Sequence, residues 1–368
     1  MKLKVALVHD YINEYGGAER VLRQLCEMFP DAPIYTAFRV EGSTADKEFK
    51  DREIHQSWLA PLLKIWRLYS PLRFLIPFIW GSINLSSYDL VITSASWYVT
   101  RGFKVGPNTK VICYCHTPPR WLYGYEMSVG FTKYWPVKIY AAIVGHLIRM
   151  YDFIVSQNID YWIANSKNVQ ERIRKFYRKD AVVIYPPVEV ERIIEKTHKL
   201  VKKDYFLIVS RLVGAKGLKE IARSAKEIDL KLKVAGEAHG FADELKSLQK
   251  VAGDKIELLG RVSDEDLYKL YGEAKGFIAL AKQEDFGITP VEAMAAGTPV
   301  IAFNGGGFKE TVIDGKTGIF LNSVDTKTIA AAIKRFEKIK WDTKVLQEHA
   351  RRFSKERFRK EMKSYLKI

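Results

Sequence analysis

Cysteine is scarce in this chain, which has three in 368 residues: Cys26, Cys113 and Cys115. So small and odd a number excludes the disulfide framework of a small secreted protein. Cys113, Cys115 and His116 stand close together, but C-x-C is not the usual C-x-x-C spacing and no second pair of ligands follows, which disfavours a structural metal. The first residues begin an apolar strand instead of a charged and then apolar leader, so we expect a cytoplasmic protein.

Long apolar runs are missing too. A membrane-spanning helix needs about 18 or more nearly uninterrupted apolar residues, whereas the first candidate stretch is broken by Arg67, Pro71, Arg73 and Pro77. Hydrophobic residues nevertheless make up 47% of the chain and charged residues 28%, a globular and not a disordered composition. Since a single hydrophobic core stops growing at about 250–300 residues, the length of 368 residues predicts two domains.

Acidic residues are in deficit, and the formal net charge is +16. Such an excess attracts nucleic acid, anionic lipid or phosphorylated substrates. Residues 55–153 hold ten lysines and arginines against three acidic residues, and six of the eight tryptophans. This combination is typical of peripheral contact with an anionic membrane, although core helices with solvated basic faces explain it equally well. No nucleic-acid-reading motif accompanies the charge, so no nucleic-acid partner is predicted.

Apolar strand-like runs alternate with helical periodicity along the chain, the pattern of parallel α/β sheets. After Pro186 and Pro187, a charged stretch lacks strong periodicity until a new apolar run begins at Tyr205. We therefore predict an N-terminal domain over residues 1–200 and a C-terminal domain over residues 201–348. Residues 349–368 form a basic segment with a helical pattern, whose position periodicity does not reveal.

Three strand-to-helix junctions carry candidate binding residues. Gly16 and Gly17 follow the first strand, where glycine lets a backbone approach a phosphate at a helix N-terminus. They do not form the G-x-G-x-x-G of a nicotinamide site, and an ordinary turn needs the same residues. Arg211 and Lys216 form the second junction, because two cations at this spacing can neutralise a diphosphate leaving group; an exposed pair on the surface is the alternative.

The third junction spans residues 284–292, where Pro290 suits the start of a helix. Glu284 precedes the turn and Glu292 lies on the first helical turns. Their carboxylates can accept hydrogen bonds from hydroxyls at two separate places, such as a sugar and a ribose. The amides between them can bind phosphate.

These residues carry a resemblance. Residues 284–292 resemble the E-x7-E signature of the retaining glycosyltransferase family 4, whose GT-B fold has two Rossmann-like doubly wound domains facing across a cleft. Further motifs occur in the same order as in that family and extend the resemblance over nearly the whole chain. They are the Gly16-Gly17 loop, the Arg211 and Lys216 pair, Gly236-Glu237, Gly260-Arg261-Val262, and Gly297-Thr298-Pro299-Val300 followed by glycines 305–307. One departure is Gly214-Ala215 before Lys216, where relatives often carry a bulkier or more polar residue.

The resemblance implies a role for each motif. Gly16 and Gly17 would bring backbone to the donor diphosphate, and Arg211 and Lys216 would bind its oxygens. Glu284 would contact the sugar hydroxyls, with the amides of Phe286, Gly287, Ile288 and Thr289 beside it. Glu292 would contact the ribose, and Arg261 and Val262 the base. Family members commonly have a histidine at the end of an N-domain strand, matched here by His116, which is expected near the sugar. His116, Arg211, Lys216 and Glu284 are thus the implied catalytic residues, while His9 and Asp10 are weaker candidates facing the acceptor.

Segments 9–11 and 114–120 are similar to mannosyltransferases of O-antigen and related surface-polysaccharide assembly. This similarity favours GDP-mannose as donor and a saccharide or lipid-linked saccharide as acceptor. The alternative is a UDP-sugar-dependent glycosyltransferase of the same fold. The family also implies that residues 349–368 pack back on the N-terminal domain, with Phe353, Phe358 and Tyr365 as candidate contacts.

Retention by a front-face substitution is implied as well, since no pair of carboxylates for double displacement is evident. No cofactor or metal is expected, because a D-x-D between strands is absent and residues 264–266 fit a helix-capping cluster. The rival interpretations are an epimerase or phosphorylase on the same fold, and an inactive module that binds membrane or nucleotide.

Overall fold

The computed structural model describes residues 3–65, 68–125, 135–210, 217–236 and 255–367. The chain divides into two compact units, one comprising Met1–Pro187 with Arg359–Ile368 and the other Val188–Phe358. Each unit contains one fully parallel sheet with helices. The predicted class, two parallel-sheet α/β domains, is confirmed.

Seven strands form the sheet of the first unit: β1 Val5–His9, β2 Ile34–Thr36, β3 Ile54–Gln56, β4 Leu90–Ala95, β5 Lys110–Cys115, β6 Tyr161–Ala164 and β7 Val182–Val183. Their order is β3-β2-β1-β4-β5-β6-β7. Every residue of β1 and β4 is buried, as in parallel strands covered by helices on both faces. The chain reverses its direction across the sheet between β1 and β4, and ligands of such sheets bind outside the carboxyl ends of the strands at that point.

The helices of the first unit are α1 Gly17–Met28, α2 Thr44–Glu48, α3 Ala60–Lys64, α4 Ile76–Gly81, α5 Trp135–Ser156 and α6 Lys167–Tyr177, and a 3₁₀ turn spans Arg73–Leu75. Helix α1 buries Val21, Leu22 and Leu25, the face that the sequence spacing predicts. Helix α5 is different, because most of its surface is exposed. Among the described residues it alone has the length and hydropathy of a membrane span, and 28% of its most apolar window is buried.

In the described part of the second unit, the sheet has six strands: β8 Lys203–Val209, β9 Leu232–Ala235, β10 Ile256–Gly260, β11 Ala274–Ala279, β12 Val300–Phe303 and β13 Gly318–Leu321. Their order, β10-β9-β8-β11-β12-β13, repeats the winding of the first six strands of the other sheet. The switch point therefore lies between β8 and β11. The helices of this part of the chain are α7 Val190–Thr197, α8 Leu218–Glu227, α9 Asp264–Glu273, α10 Ile288–Ala295, α11 Phe308–Thr311, α12 Thr326–Glu337, α13 Thr343–Arg351 and α14 Lys355–Leu366.

The units divide before Val188, earlier than the predicted boundary at residue 200. The reason is α7, which packs against α9, α10 and α13 of the second unit. Arg351 Nε donates to Glu191 at 2.8 Å, and Val188 N donates to the Phe353 carbonyl at 3.0 Å. The charged surface that suggested a linker is the outer face of a packed helix.

The predicted C-terminal segment, 349–368, is shared between the units. Residues 359–368 belong to the first unit, where Arg359 Nε donates to Gln24 at 2.8 Å and Tyr365 meets Tyr161 edge to face. Phe353 and Phe358 belong to the second unit, and the Phe353 ring lies 5.5 Å from that of Phe286. Of the three aromatic contacts expected on the N-terminal domain, the structure places Tyr365 there.

Candidate functional site

Four polar side chains form a continuous hydrogen-bonded chain at the carboxyl edge of the first sheet. Glu19 Oε1 lies 3.2 Å from His9 Nε2, and His9 Nδ1 lies 3.1 Å from Ser94 Oγ. Ser94 Oγ in turn lies 2.8 Å from His116 Nε2. We call these residues, Glu19, His9, Ser94 and His116, the histidine relay. It connects the predicted sugar-side histidine to the glycine loop.

Strand register builds this relay. His9 ends β1 and is paired with Ser94 on the neighbouring β4. His116 directly follows β5, and its backbone N–H donates to Ala95 of β4 at 2.8 Å. Because the carboxyl ends of parallel strands meet at one edge, three residues far apart in sequence converge there.

Glu19 ties the relay to the predicted phosphate loop. Its Oε2 accepts from the Gly16 N–H at 2.9 Å at the start of α1. A carboxylate in that position satisfies a donor left open at a helix N-terminus. Gly16 and Gly17 thus stand at the helix start that the sequence predicts, beside the His9 end of the relay.

Burial decides the charge of His116. Desolvation, with a smaller contribution from His9, lowers the pKa of His116 to about 3. The imidazole is therefore neutral near pH 7, and each of its nitrogens acts as either a donor or an acceptor. Such a group can hydrogen-bond a sugar hydroxyl without placing a positive charge beside it.

Asp10 organises the loop after β4. Its Oδ2 accepts from the Ser96 hydroxyl at 2.6 Å and from the Trp97 N–H at 2.6 Å, and its Oδ1 accepts from the Thr100 hydroxyl. In the same loop Val99 has a φ of 50°, a region that β-branched residues rarely adopt. Both oxygens of Asp10 are engaged in holding this loop. An acceptor-facing role for Asp10 stays a prediction.

In the second unit, the segment 280–287 leads from β11 into α10 at the switch point of the sheet. Gly287 precedes the helix with a φ of 92°, which favours glycine. The loop 305–307 is tied to this segment at the backbone, since the Gly307 N–H donates to the Glu284 carbonyl at 2.9 Å. The two loops approach so closely that a methyl group on Gly307 would lie 2.5 Å from the Asp285 carbonyl oxygen. This explains the glycine run as a packing requirement.

The two signature glutamates have different environments. Glu284 is half-buried in the loop, together with Ile288 and Thr289 at the start of the helix. Glu292 is 3% exposed and accepts from the Tyr271 hydroxyl at 2.9 Å. The first N–H groups of α10 lack partners within the helix and carry its partial positive charge. The predicted donor-binding residues 284–292 therefore form one continuous segment from the loop after β11 into α10.

The other predicted donor contacts lie at the ends of neighbouring strands or outside the described residues. Arg211, Lys216 and Glu237 are outside the described residues. Ser210, which precedes them at the end of β8, has a buried Oγ with no hydrogen-bond partner among the residues described. Arg261 is exposed and Val262 half-buried after the edge strand β10.

Residues 264–266 lie in the first turn of α9, capped by the Ser263 hydroxyl, which accepts from Asp266 N at 3.1 Å. The prediction of a capping cluster there is confirmed. Within the described ranges, no group of three or more His, Cys, Asp or Glu residues is placed to hold a metal. That the reaction needs no metal stays a prediction.

Comparison with known families covers both halves of the chain. The model for "Glycosyltransferase Family 4" matches residues 15–192, and that for "Glycosyl transferases group 1" matches residues 189–358. The chain belongs to glycosyltransferase family 4. The resemblance based on the E-x7-E signature is confirmed.

Several curated relatives in the family are similar over part of the chain. An uncharacterised glycosyltransferase of Methanocaldococcus jannaschii is 28% identical over 54% of this chain and 55% of its own length. An O-antigen chain mannosyltransferase of Salmonella typhimurium is 30% identical over 47% of this chain and 50% of its own. The GDP-Man:Man(3)GlcNAc(2)-PP-Dol alpha-1,2-mannosyltransferase of Xenopus laevis is 26% identical over 89% of this chain and 79% of its own. The chain thus spans about half the length of the first two relatives.

Solved structures establish the fold. Anabaena HepE, in complex with UDP and glucose, aligns with a TM-score of 0.68 at 16% identity over 100% of both chains. The sucrose-phosphate synthase of Thermosynechococcus elongatus aligns with a TM-score of 0.72 at 18% identity over 100% of this chain and 98% of its own. With the two parallel sheets, these similarities confirm the GT-B fold.

Sequence reasoning missed Ser94, Glu19 and Tyr271. Glu19 stands three residues after Gly16, the position from which a glutamate side chain can accept from the N–H of the residue before a helix, so this contact has a local sequence signal. Ser94 and Tyr271 give no such local signal, because their partners are 22 and 21 positions away in the chain.

Proposed function

We propose that this chain transfers a hexosyl group from a nucleotide sugar to a saccharide or lipid-linked saccharide, with retention of anomeric configuration and without a metal. The observation that carries the proposal is the continuous site of residues 284–292 at the switch point of the second sheet. It combines a half-buried carboxylate, the start of a helix and a second, buried carboxylate within nine residues. Membership of family 4, which consists of glycosyltransferases, supports the same conclusion.

On the donor side, the amides that open α10 suit the diphosphate, whose negative charge grows as the glycosyl bond breaks. Glu284 is assigned to the sugar hydroxyls. Glu292 is assigned to the ribose, and its hydrogen bond to Tyr271 fixes the orientation of its carboxylate. Arg211 and Lys216 are assigned to the diphosphate oxygens from the family resemblance, and Arg261 and Val262 to the base.

His116 is assigned to the transferred sugar. As a neutral imidazole held by Ser94, it provides one oriented hydrogen bond to a hydroxyl. In the front-face reaction the leaving phosphate oxygen accepts the proton of the acceptor hydroxyl. The contribution of His116 is then orientation of the sugar, not proton transfer.

GDP-mannose is the favoured donor, since relatives in Salmonella typhimurium and Xenopus laevis are named as mannosyltransferases. A UDP-sugar is the alternative, supported by the UDP-glucose complex of Anabaena HepE. Incubating the purified protein with GDP- and UDP-sugars, and measuring nucleoside diphosphate release with and without an acceptor saccharide, distinguishes them. Acceptor-dependent release from GDP-mannose alone is the expected result.

Two variants sharpen this experiment. Glu284→Gln removes the carboxylate at the proposed sugar contact and is expected to lower transfer by about 100-fold, a loss of about 2.7 kcal/mol of transition-state stabilisation. Glu337→Gln changes an exposed carboxylate on α12 that pairs with Lys275, and is the matched control. Equal activity of both variants would contradict the site. Nuclear magnetic resonance of the product's anomeric proton tests retention.

The exposed face of α5 supports the proposal that the first unit binds an anionic membrane from the cytoplasmic side. Ile143, Leu147 and Ile154 are 58%, 59% and 61% exposed. The helix also carries Lys138 and Arg149 on its surface, whereas its single carboxylate, Asp152, is buried. An apolar surface edged by cations and without exposed acids is suited to the interface of an anionic bilayer.

Burial of the opposite face, including Ile148 and Val155, favours a helix that lies along the bilayer surface. Flotation with phosphatidylglycerol vesicles at low and high salt tests this. We expect the double variant Ile143→Asp with Leu147→Asp to be absent from the lipid fraction at both salt concentrations. Recovery of wild type in the soluble fraction at both concentrations would remove the membrane proposal and leave the transferase proposal intact.

A further inference from the structure

Arg73 occupies an unusual position at the edge of the first sheet that holds the histidine relay. Its guanidinium carbon lies 4.3 Å from the ring centre of Trp97 and 4.5 Å from that of Trp121. Trp97 is in the loop after β4, and Trp121 follows β5. The Trp121 Nε1 donates to the Trp97 carbonyl at 3.0 Å, which fixes the two indoles relative to each other. We call Arg73 with these two rings the arginine clamp.

The clamp leaves the positive charge of Arg73 without a counter-ion. Among the described residues, no carboxylate lies within ion-pair distance of this guanidinium; its hydrogen bond is from Nη2 to the Ser70 hydroxyl at 2.9 Å. The Nε is buried without a partner in the same set of residues. Arg101 shows the usual arrangement by contrast, because its buried guanidinium lies 2.8 Å from Asp152.

A charge that is partly desolvated and unpaired is costly unless an anion completes it. Burial lowers the pKa of Arg73 to about 10, so the group is still protonated near pH 7. Two indole rings lie against the guanidinium, and all of its N–H donors lie in its own plane. Planar donors of this kind match the oxygens of a phosphate.

An apolar surface adjoins the clamp. Phe74 and Phe78, which follow Arg73 in sequence, are 44% and 63% exposed. The turn that carries Arg73 packs against α5, and the Tyr140 hydroxyl donates to the Pro71 carbonyl. The turn that carries Arg73 and Phe74 therefore lies beside α5. A cation beside such a surface suits a molecule with a phosphate at one end and a hydrocarbon chain at the other.

We propose that the arginine clamp binds the phosphate of a lipid-linked acceptor, whose hydrocarbon chain lies on Phe74, Phe78 and the neighbouring surface of α5. This inference rests on the proposed glycosyl transfer to a lipid-linked acceptor and identifies how that acceptor is held. Arg73 is a binding residue in this account. It has no part in the bond-making step.

Binding is tested with decyl phosphate as the probe, below its micelle concentration, by following the tryptophan fluorescence of the full chain. Inorganic phosphate and decyl maltoside provide the comparison with a free anion and with a neutral amphiphile. We expect saturable binding of decyl phosphate, at least about tenfold tighter than that of either other probe. Equal affinity for inorganic phosphate would show a general anion site, and equal affinity for decyl maltoside would show a purely apolar surface; either result overturns the proposal.

The Arg73→Gln variant is expected to bind decyl phosphate about tenfold more weakly, which corresponds to the loss of a charged hydrogen bond. Arg73→Lys keeps the positive charge but lacks the planar guanidinium, and its affinity for decyl phosphate is expected to be intermediate. Arg174→Gln removes an exposed cation of α6, to which no binding role is assigned, and is the matched control. A loss in Arg174→Gln as large as in Arg73→Gln would reduce the effect to overall charge and contradict a specific clamp.

Circular dichroism and the thermal midpoint establish that each variant is folded, and Arg73→Lys keeps the test valid if Arg73→Gln does not fold. Nucleoside diphosphate binding separates this inference from the proposed function. We expect Arg73→Gln to bind GDP as wild type does. If the wild-type protein binds decyl phosphate through Arg73 but transfers no sugar, only the proposed function is refuted. If Arg73→Gln transfers sugar to a lipid phosphate acceptor as well as the wild-type protein does, only the arginine clamp is refuted.

Discussion

Replacing Gly307 by alanine is expected to force apart the two loops of the second unit that build the proposed donor site. The added methyl group would lie 2.5 Å from the Asp285 carbonyl oxygen and 2.6 Å from that of Phe286, where ordinary contact begins at 3.4 Å. Both neighbours are backbone atoms, so no side-chain rotation relieves the overlap. The loops therefore separate by about 0.9 Å, and the hydrogen bond from Gly307 N to Glu284 is weakened.

The expected cost has two parts. Overpacking of a well-packed site typically costs about 1–3 kcal/mol of unfolding free energy, which for a domain of this size lowers the thermal midpoint by about 2–12 °C. Displacing a catalytic loop by about 1 Å costs on the order of 100-fold in turnover. We therefore expect Gly307→Ala to lose more activity than its modest loss of stability explains.

Differential scanning fluorimetry and the nucleoside diphosphate release assay measure the two parts separately. Gly81→Ala is the matched control, because a methyl group on Gly81, at the end of α4, meets nothing within 4 Å. We expect the control to match or slightly exceed wild type in stability. A Gly307→Ala protein with unchanged midpoint and unchanged turnover would refute the argument that backbone proximity requires glycine there.

Ser94→Ala removes the hydroxyl between two imidazoles and should cost about 1–3 kcal/mol of stability, together with a fall in kcat that exceeds the change in KM, as steady-state kinetics would show. Because the folded-state pKa of His116 is depressed to about 3, its contribution to stability is present above the unfolded pKa of about 6.5 and is lost as the pH falls from there towards 3. Thermal midpoints between pH 7 and 4 should therefore drop less in His116→Gln than in the exposed control His55→Gln, and parallel curves would contradict this. Asp152→Asn leaves the Arg101 charge buried with a neutral partner and should destabilise the protein by about 3–5 kcal/mol, a loss that urea titration would detect and whose absence would show that the pair is dispensable.

The conformation of the segment 284–292, the proposed donor site, was largely predictable from sequence because its features are local. A glycine before a helix, a proline in its first turn and two glutamates at fixed spacing all belong to one strand-turn-helix segment. The same holds for Gly16 and Gly17. The opening of α10 and α1 follows from turn chemistry and helix capping, which depend on nearest neighbours in the chain.

The domain boundary and the exposed apolar face of α5 were less predictable. Composition marks the polar outer face of α7, but its buried residues Val190 and Ile193 decide which unit it joins. Similarly, the excess of tryptophan and cations in residues 55–153 does not distinguish covered helices from uncovered ones. Only packing reveals that Trp80 is fully buried while Trp135 is 73% exposed.

The amino-acid sequence alone determined the alternation of strands and helices, the two-domain class and the family, since periodicity and motif spacing are properties of short segments. Tertiary structure decided which segments meet. His9 and Ser94 lie 85 positions apart, and their pairing depends on the register of β1 and β4. The arginine clamp likewise requires the turn that carries Arg73 to meet two separate loops. Such contacts form between surfaces that are created only when the sheet is assembled, so no local pattern in the chain encodes them.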